Sequence, residues 1–191
     1  MVNNMHVFLT GEIQIGKTTL INKVLNELPD CRVGGFRTVT KDDIPGTAGS
    51  VYIVRADEAF SAGAGCTGGA GLYFGDENRV GIRCGNPGPT GFPDVFDRYG
   101  VMTLANAENC DLILMDEIGK MEREAFVFTK RVLELLAEDV PVFGVLRQEG
   151  STPLQEQIRN HPKVRLIKVT IANRNQLVPE VTRLLLSEGI C

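Results

Sequence analysis

Residues 11–18 read GEIQIGKT and match the pattern of a phosphate-binding loop (P-loop), in which two glycines flank four residues and a lysine and a hydroxyl residue follow. The glycines allow a tight turn in which successive backbone N–H groups point inward around phosphate groups. We expect Lys17 to reach the β- and γ-phosphates of a nucleotide and to act in catalysis there, and the Thr18 hydroxyl to bind Mg²⁺. The residues expected to bind the nucleotide are Gly11, Glu12, Ile13, Gln14, Ile15, Gly16, Lys17, Thr18 and Thr19, the last of them at the α-phosphate.

Two adjacent carboxylates, Asp116 and Glu117, follow the apolar run that begins at Leu112. Because an unpaired charge is costly to bury, a carboxylate pair at the end of a buried strand indicates a cation or a reactive group at that place. We expect Asp116 to hold Mg²⁺, directly or through water, and Glu117 to polarise the attacking water as a general base. The two motifs together predict a site that hydrolyses the γ-phosphate of a nucleotide.

Hydrolysis has two competing interpretations. A water-activating carboxylate beside the metal-binding one favours hydrolysis, whereas a nucleotide or nucleoside kinase has to exclude water and provide an acceptor pocket. A nucleotide-dependent switch that acts on a protein or RNA partner is the second alternative. Asp116 and Gly119 fit the D-x-x-G signature of GTPase switches, but no [NT]-K-x-D sequence for guanine follows a later strand, which disfavours a regulatory GTPase.

Three further residues are candidates for nucleotide contacts. Arg147 ends an apolar run, and the ligands of open α/β sheets gather at the carboxyl ends of such strands. Its guanidinium is therefore a candidate for neutralising the γ-phosphate. Asn173 and Arg174 follow the last apolar run, where Arg174 is a candidate for stacking on a base without reading its edge. The competing interpretations are a solvated loop position for Arg147 and helix capping for Asn173.

Apolar runs that alternate with helical patterns have to position these residues. Strands are predicted at residues 6–10, 33–40, 50–55, 111–116, 141–146 and 164–170, and helices at about 17–28, about 122–138 and 177–185. This alternation is typical of an α/β fold with a parallel sheet. We predict a single three-layer P-loop (RecA-like) domain over residues 1–191, with a mainly parallel sheet flanked by helices.

One region interrupts the alternation of strands and helices. Ten of the 21 glycines lie between Ser61 and Gly91, which indicates loops. We predict a glycine-rich loop or hairpin insertion at about residues 41–95, with a mobile tip around residues 63–71. The insertion is interpreted either as a loop without chemistry or as a lid over the site.

Composition narrows the classes of partner. The formal charge of −4 and the lack of a run of like charges give no general attraction to nucleic acid or to an anionic membrane. The five cysteines are scattered and form no CxxC pair, so neither a zinc site nor a disulfide framework is indicated. No apolar stretch approaches the roughly 20 residues that span a bilayer, and no signal sequence is evident. We expect a cytoplasmic monomer whose partner is a nucleoside triphosphate and whose cofactor is Mg²⁺.

The string DEIGKME at residues 116–122 is more specific than a general carboxylate-ended strand. It resembles the thermophilic-type nucleoside-triphosphatase family, whose human members are called cancer-related nucleoside-triphosphatase. Other segments resemble the family in the same order, namely residues 6–20, GFRT at 35–38, RYGV at 98–101 and residues 169–175. The resemblance implies a RecA-like P-loop fold and slow, Mg²⁺-dependent hydrolysis of ATP, GTP and other triphosphates to diphosphate and phosphate.

The chain departs from the family pattern at three places. The family's loop usually carries Pro and Gly between its fixed glycines, whereas Gln14 stands here at a position that favours a positive φ angle. Such a conformation costs a non-glycine residue about 1–3 kcal/mol. Val39 and Thr40 stand where the family has an acidic pair, and Val145–Arg147 replaces a Thr-Ile-Pro-like strand end. These departures bear on substrate preference and turnover rather than on the fold.

Overall fold

The computed structural model describes residues 5–28, 30–61, 71–83 and 88–187. Most of the predicted mobile tip, residues 63–70, lies outside this part of the chain. The described residues form one eight-stranded sheet with helices on both faces. The predicted three-layer α/β architecture with a mainly parallel sheet is therefore confirmed.

The sheet has a parallel part and an antiparallel extension. Its strands are β1 (His6–Thr10), β2 (Val33–Lys41), β3 (Ser50–Arg55), β4 (Arg79–Ile82), β5 (Thr90–Gly91), β6 (Leu112–Ile118), β7 (Val142–Leu146) and β8 (Val164–Lys168). Their order is β5-β4-β3-β2-β6-β7-β1-β8. The five strands β2, β6, β7, β1 and β8 pair in parallel with their neighbours. On the other side of β2, the strands β3, β4 and β5 follow as antiparallel neighbours. Since β7 lies between β1 and β6, the segments that follow β1 and β6 meet across the end of β7.

The helices cover both faces of the sheet. They are α1 (Lys17–Asn26), α2 (Ala56–Ser61), α3 (Pro93–Val95), α4 (Val101–Thr103), α5 (Phe126–Ala137), α6 (Pro153–Asn160) and α7 (Leu177–Ser187). A π-helical turn, Phe96–Gly100, joins α3 to α4. On one face of the sheet, the segment from α3 to α4 packs with α5 and α6 in one core cluster. On the other face, α1 and α7 pack in a second cluster. Within the described residues, no helix is long and apolar enough to cross a bilayer.

The side chains of β6 alternate between the two core clusters. Ile113 and Met115 belong to the cluster beneath α5, whereas Leu112 and Leu114 belong to the cluster beneath α1. This alternation follows from the geometry of a strand, in which successive side chains point to opposite faces. The next position on the α1 face is Asp116, so the strand pattern directs this carboxylate toward the loop that opens α1.

Several predicted boundaries were wrong, among them the end of the last strand, which lies at Lys168 rather than at residue 170. β6 continues to Ile118, so Glu117 lies within the strand rather than just beyond it. The helix expected from about residue 122 begins only at Phe126, because residues 119–124 form a bend and turns. α1 ends at Asn26 rather than at residue 28. The prediction also missed α6, which presents few apolar side chains to the core because it is only eight residues long.

Candidate active site

The loop between β1 and α1 depends on two glycines with positive φ angles. Gly11 has a φ of 147°, and a Cβ added there would lie 2.6 Å from the carbonyl oxygen of Val169. Gly16 has a φ of 103° and precedes α1, where its carbonyl accepts the N–H of Leu20. Glycine adopts such angles at no steric cost. The loop therefore brings the N-terminus of α1, with its unpaired N–H groups and partial positive charge, to the carboxyl end of β1.

Gln14 has a φ of 62°, which confirms the positive angle expected at this position. The residues on either side of it differ in burial. Ile15 is buried in the core cluster beneath α1, whereas the Ile13 side chain is 58% exposed. Ile15 thus anchors the loop, while Ile13 and Gln14 line a cavity at its surface, which is described below.

Lys17 is the first residue of α1, and its side chain is only 8% exposed. Its Nζ donates hydrogen bonds to the carbonyl oxygens of Gly11 (2.9 Å) and Glu12 (2.7 Å). Burial lowers the pKa of Lys17, while the Glu117 and Asp116 carboxylates oppose this shift. The ammonium group is thereby held over the loop, close to both carboxylates of β6.

Asp116 is buried at the carboxyl end of β6 and lies beside Arg37 of β2 in the parallel register. Burial raises its pKa to about 6. The positive charges of Arg37 and Lys17 act in the opposite direction, while the Glu117 carboxylate adds to the increase. A carboxylate that burial makes costly to ionise gains from a bound cation.

These residues share one cavity of about 430 Å³, which we call the phosphate cavity. Thr18 and Asp116 both line it, together with Lys17 and Glu117. A hydroxyl and a carboxylate supply the hard oxygen ligands that Mg²⁺ prefers, and Mg²⁺ takes only a few protein ligands beside water and phosphate oxygens. The donors present in this cavity therefore fit a magnesium ion.

Arg147 follows β7 and enters the same cavity from between β1 and β6. Its backbone is fixed on both sides, since its N–H donates to the Ile118 carbonyl (2.9 Å) and its carbonyl accepts from Gln155 of α6 (3.2 Å). Its side chain passes over Gly119, where an added Cβ would lie 3.4 Å from Arg147 Cδ. The structure thus brings Arg147 together with Glu117 and Lys17 in one cavity.

The turn after β6, residues 119–122, contains a carboxylate whose role the sequence did not reveal. Glu122 is 4% exposed, and its Oε1 accepts the backbone N–H of Gly119. Burial raises the pKa of Glu122 to about 7, partly offset by these backbone hydrogen bonds. Because the bond closes the turn on itself, Glu122 holds the segment that directly follows Glu117.

Asn173 and Arg174 do not line the phosphate cavity. Asn173 closes the turn after β8, since its Oδ1 accepts the Thr170 N–H (2.8 Å) and its Nδ2 donates to the Lys168 carbonyl (2.9 Å). Arg174 reaches the P-loop, where it donates to the Ile15 carbonyl (3.4 Å). It also lines a separate cavity of about 280 Å³ beside the start of α1. The side chain of Asn173 is therefore occupied by hydrogen bonds within the turn, whereas the side chain of Arg174 contacts the P-loop.

Three other residues line the phosphate cavity that were not predicted as site residues. Thr38 and Thr40 lie on β2, and Arg83 follows β4. The signal at Thr38 was its place in the GFRT segment, residues 35–38, which resembles the family pattern. Arg83 offered only a basic residue after the short run Val80–Ile82. These positions reach the site through strand order, which the local sequence does not encode.

Comparisons with known proteins identify the family to which the chain is similar. A family model described as NTPase matches residues 6–53 and 60–182. The chain is 30% identical over 187 residues to the nucleoside-triphosphatase THEP1 of Methanosarcina acetivorans, an alignment that covers 93% of this chain and 95% of that protein. It is 32% identical over 188 residues to the mouse cancer-related nucleoside-triphosphatase homolog, with 92% of this chain and 94% of that protein covered.

Solved structures show the same fold. The crystal structure of THEP1 from the hyperthermophile Aquifex aeolicus matches with a TM-score of 0.68 at 23% identity, covering 95% of this chain and 99% of that one. The solution structure of a human cancer-related nucleoside triphosphatase matches with a TM-score of 0.66 at 28% identity, covering 96% and 98%. The family resemblance inferred from residues 116–122 and the other segments is confirmed: the chain belongs to the NTPase family, with the fold of P-loop NTPases.

Proposed function

We propose that this protein is a Mg²⁺-dependent nucleoside-triphosphatase that hydrolyses ATP, GTP and other triphosphates to diphosphate and phosphate, slowly and with broad base specificity. One observation carries the proposal. The P-loop, the N-terminus of α1 and both carboxylates of β6 face a single cavity of about 430 Å³. A site with these groups can bind a triphosphate, hold a metal ion against it and activate a water molecule.

The phosphates are proposed to bind at the N-terminus of α1, where backbone N–H groups and the helix dipole favour negative charge. Lys17 then exchanges the carbonyl oxygens of Gly11 and Glu12 for β- and γ-phosphate oxygens. Its two hydrogen bonds to these carbonyls hold the ammonium group over the loop in the free protein, which supports this role. Because the ammonium is already desolvated, little further dehydration accompanies phosphate binding.

Thr18 and Asp116 are proposed to hold Mg²⁺, directly or through water. The ion supplies positive charge that neutralises the oxygens of the β- and γ-phosphates. Glu117 is proposed to take a proton from the attacking water, and Arg147 to stabilise the charge that develops on the γ-phosphate. Both side chains line the phosphate cavity, which supports these two roles.

Broad base specificity is proposed to arise at Arg174. Its guanidinium lines the cavity beside the start of α1, next to Gly16 and Thr19. A planar cation stacks on any base through its π face and does not read the base edge. The proposed active form is a monomer, supported by the single cavity that the P-loop, both carboxylates and Arg147 line together.

The test is release of inorganic phosphate from ATP and GTP without any acceptor. We expect phosphate release with Mg²⁺, loss of it with EDTA, and restoration by added Mg²⁺. Lys17→Ala should lower kcat/KM on the order of 100-fold or more, since it removes a charge that stabilises the transition state. Lys130→Ala, at an exposed position of α5, is the matched control and should match the unmodified protein.

The same assay separates the two alternatives. Phosphate that appears only on an added acceptor would replace the hydrolase with a kinase. Turnover that is negligible until a protein or RNA partner is added would instead indicate a nucleotide-dependent switch.

A further inference from the structure

A second cavity adjoins the phosphate cavity at Glu117. Its volume is about 220 Å³, and we call it the side cavity. The two cavities share Thr38, Arg83, Glu117 and Arg147 as lining residues. One water molecule needs only about 10–15 Å³. Hydrolysis therefore leaves most of the side cavity without a role.

The side cavity is lined by three cationic side chains, Arg83, Lys120 and Arg147. None of the three forms a salt bridge with another residue in the part of the chain that the structure describes. Lys120 does not line the phosphate cavity, so a bound γ-phosphate does not account for it. Its side chain packs on Gly150, where an added Cβ would collide with Lys120 Cε. This contact directs the lysine along the cavity wall.

The remaining lining residues define what kind of anion fits. Val51, Phe96 and Met121 form an apolar wall. Glu117 and Glu122 also line the side cavity, the latter accepting the Gly119 N–H, so three cations stand against two carboxylates. Two guanidinium groups and an ammonium suit the double negative charge of a phosphate monoester. A guanidinium group in particular can donate hydrogen bonds to two phosphate oxygens at once.

We propose that the side cavity binds a phosphate monoester, and that the protein transfers the γ-phosphoryl group to it in competition with water. This activity rests on the proposed nucleotide site, since both reactions use the same γ-phosphate. The shared residues Arg83 and Arg147 would lie between donor and acceptor and contact both. The apolar wall favours a monoester whose organic part is a ring, as in a nucleoside monophosphate.

The transfer balances without a base. The bond between the γ-phosphorus and the oxygen that bridges to the β-phosphate breaks, and its electron pair leaves with the nucleoside diphosphate. A new P–O bond forms to a non-bridging oxygen of the monoester, which becomes a diphosphate. This oxygen is already deprotonated at neutral pH, because the second pKa of a phosphate monoester is about 6. Glu117 is therefore needed for hydrolysis but not for the transfer.

Glu117→Gln separates the two reactions. The full chain is incubated with γ-labelled ATP and Mg²⁺, with each of the four common ribonucleoside monophosphates or with glycerol 3-phosphate. In Glu117→Gln, release of free phosphate should be lost, while label should move to at least one nucleoside monophosphate. ADP formation should rise at least 10-fold when that compound is added. Glycerol 3-phosphate, which lacks a ring, should accept less label.

Lys120→Gln tests whether the side cavity is the acceptor site. It should raise the KM for the monoester roughly 10-fold, as expected for one lost charge-assisted contact, and leave phosphate release from ATP alone within twofold. Arg123→Gln, a nearby cation that does not line the side cavity, should change neither value. Absence of label on every monoester, in both the unmodified chain and Glu117→Gln, would overturn the inference. Continued phosphate release in that case leaves the nucleoside-triphosphatase proposal standing.

Discussion

At the scale of single residues, the site holds two buried acids whose surroundings differ. Asp116 faces Lys17 and Arg37, and a cation bound in the phosphate cavity would further stabilise its charge. Glu122 is held by backbone hydrogen bonds, and the neighbouring Glu117 charge opposes its ionisation. The raised pKa of Glu122, about 7, has a consequence for stability because the unfolded value lies near 4.5.

The stability of the free protein should depend on Glu122 between about pH 5 and 8. The folded state holds the proton more tightly than the unfolded state, so this contribution is fully present below about pH 4.5 and is lost as the pH rises through about 7. Glu122→Gln keeps an oxygen that accepts the Gly119 N–H but cannot ionise. The unfolding free energy of the unmodified protein should decrease between pH 5 and 8, and in Glu122→Gln this decrease should be smaller by up to about 3 kcal/mol.

Urea denaturation of the metal-free protein at about pH 5 and at about pH 8 measures the change in unfolding free energy over this range. Glu149→Gln, at an exposed loop position, should keep the pH dependence of the unmodified protein. An unchanged pH dependence in Glu122→Gln would mean that Glu122 is not the group that titrates.

Gln14 gives a second prediction at the same scale. Its φ of 62° is strained for a side-chain-bearing residue, so Gln14→Gly should raise the unfolding free energy by about 0.5–1 kcal/mol. Glu12 is an exposed residue of the same loop without a positive φ, and Glu12→Gly should lower the unfolding free energy by a similar amount. Urea denaturation measures both changes in unfolding free energy. If the two substitutions change it by the same amount in the same direction, Gln14 is not strained.

Motifs made the P-loop and the carboxylates of β6 predictable, since both are fixed by spacing along the chain. Gly11, Lys17 and Asp116 needed no knowledge of the sheet. The burial of Glu122 and the approach of Arg83 were not predictable in this way, because each depends on an element distant in sequence. The positive φ of Gln14 was predictable because it is a local property of the loop.

At the scale of elements, the antiparallel extension supports the turn that follows Glu117. Gly91 of β5 packs directly on the backbone of Met121, and an added Cβ would overlap the Met121 carbonyl oxygen. Gly81 of β4 approaches the Met121 sulfur, where an added Cβ would lie 3.0 Å away. The region predicted as a glycine-rich insertion thus contains strands whose glycines allow close contact with residues 119–122. A hairpin was one of the two forms predicted for this region, but the bounds of β4 and β5 were not predicted because these strands are only four and two residues long.

Gly91→Ala should therefore disturb catalysis from the edge of the sheet. The new methyl group would push against a backbone carbonyl, which costs about 1–3 kcal/mol and displaces the turn after Glu117. We expect a drop in kcat of roughly 10-fold or more, with a smaller change in KM, because the P-loop itself is not touched. Thr90→Ala, at the exposed neighbouring position, is the matched control. Steady-state kinetics with unchanged kcat in Gly91→Ala would mean that β5 does not support the turn.

At the scale of the whole molecule, the order of the strands assembles the site. β7 separates β1 from β6, so the P-loop, Arg147 and the carboxylates open side by side at the carboxyl ends of three parallel strands. Ligands of open α/β sheets gather at this edge. The α/β class and the parallel part of the sheet followed from the alternation of apolar runs and helical patterns. The sheet order was beyond the sequence, because strand pairing depends on contacts between segments far apart in the chain.

The central claim is that the phosphate cavity hydrolyses a nucleoside triphosphate with Glu117 as the base. The most direct measurement is single-turnover phosphate release from Mg²⁺-ATP by Glu117→Gln, with nucleotide affinity determined in parallel. We expect affinity within about threefold of the unmodified protein and phosphate release slowed on the order of 100-fold or more. Undiminished phosphate release in Glu117→Gln would contradict the claim.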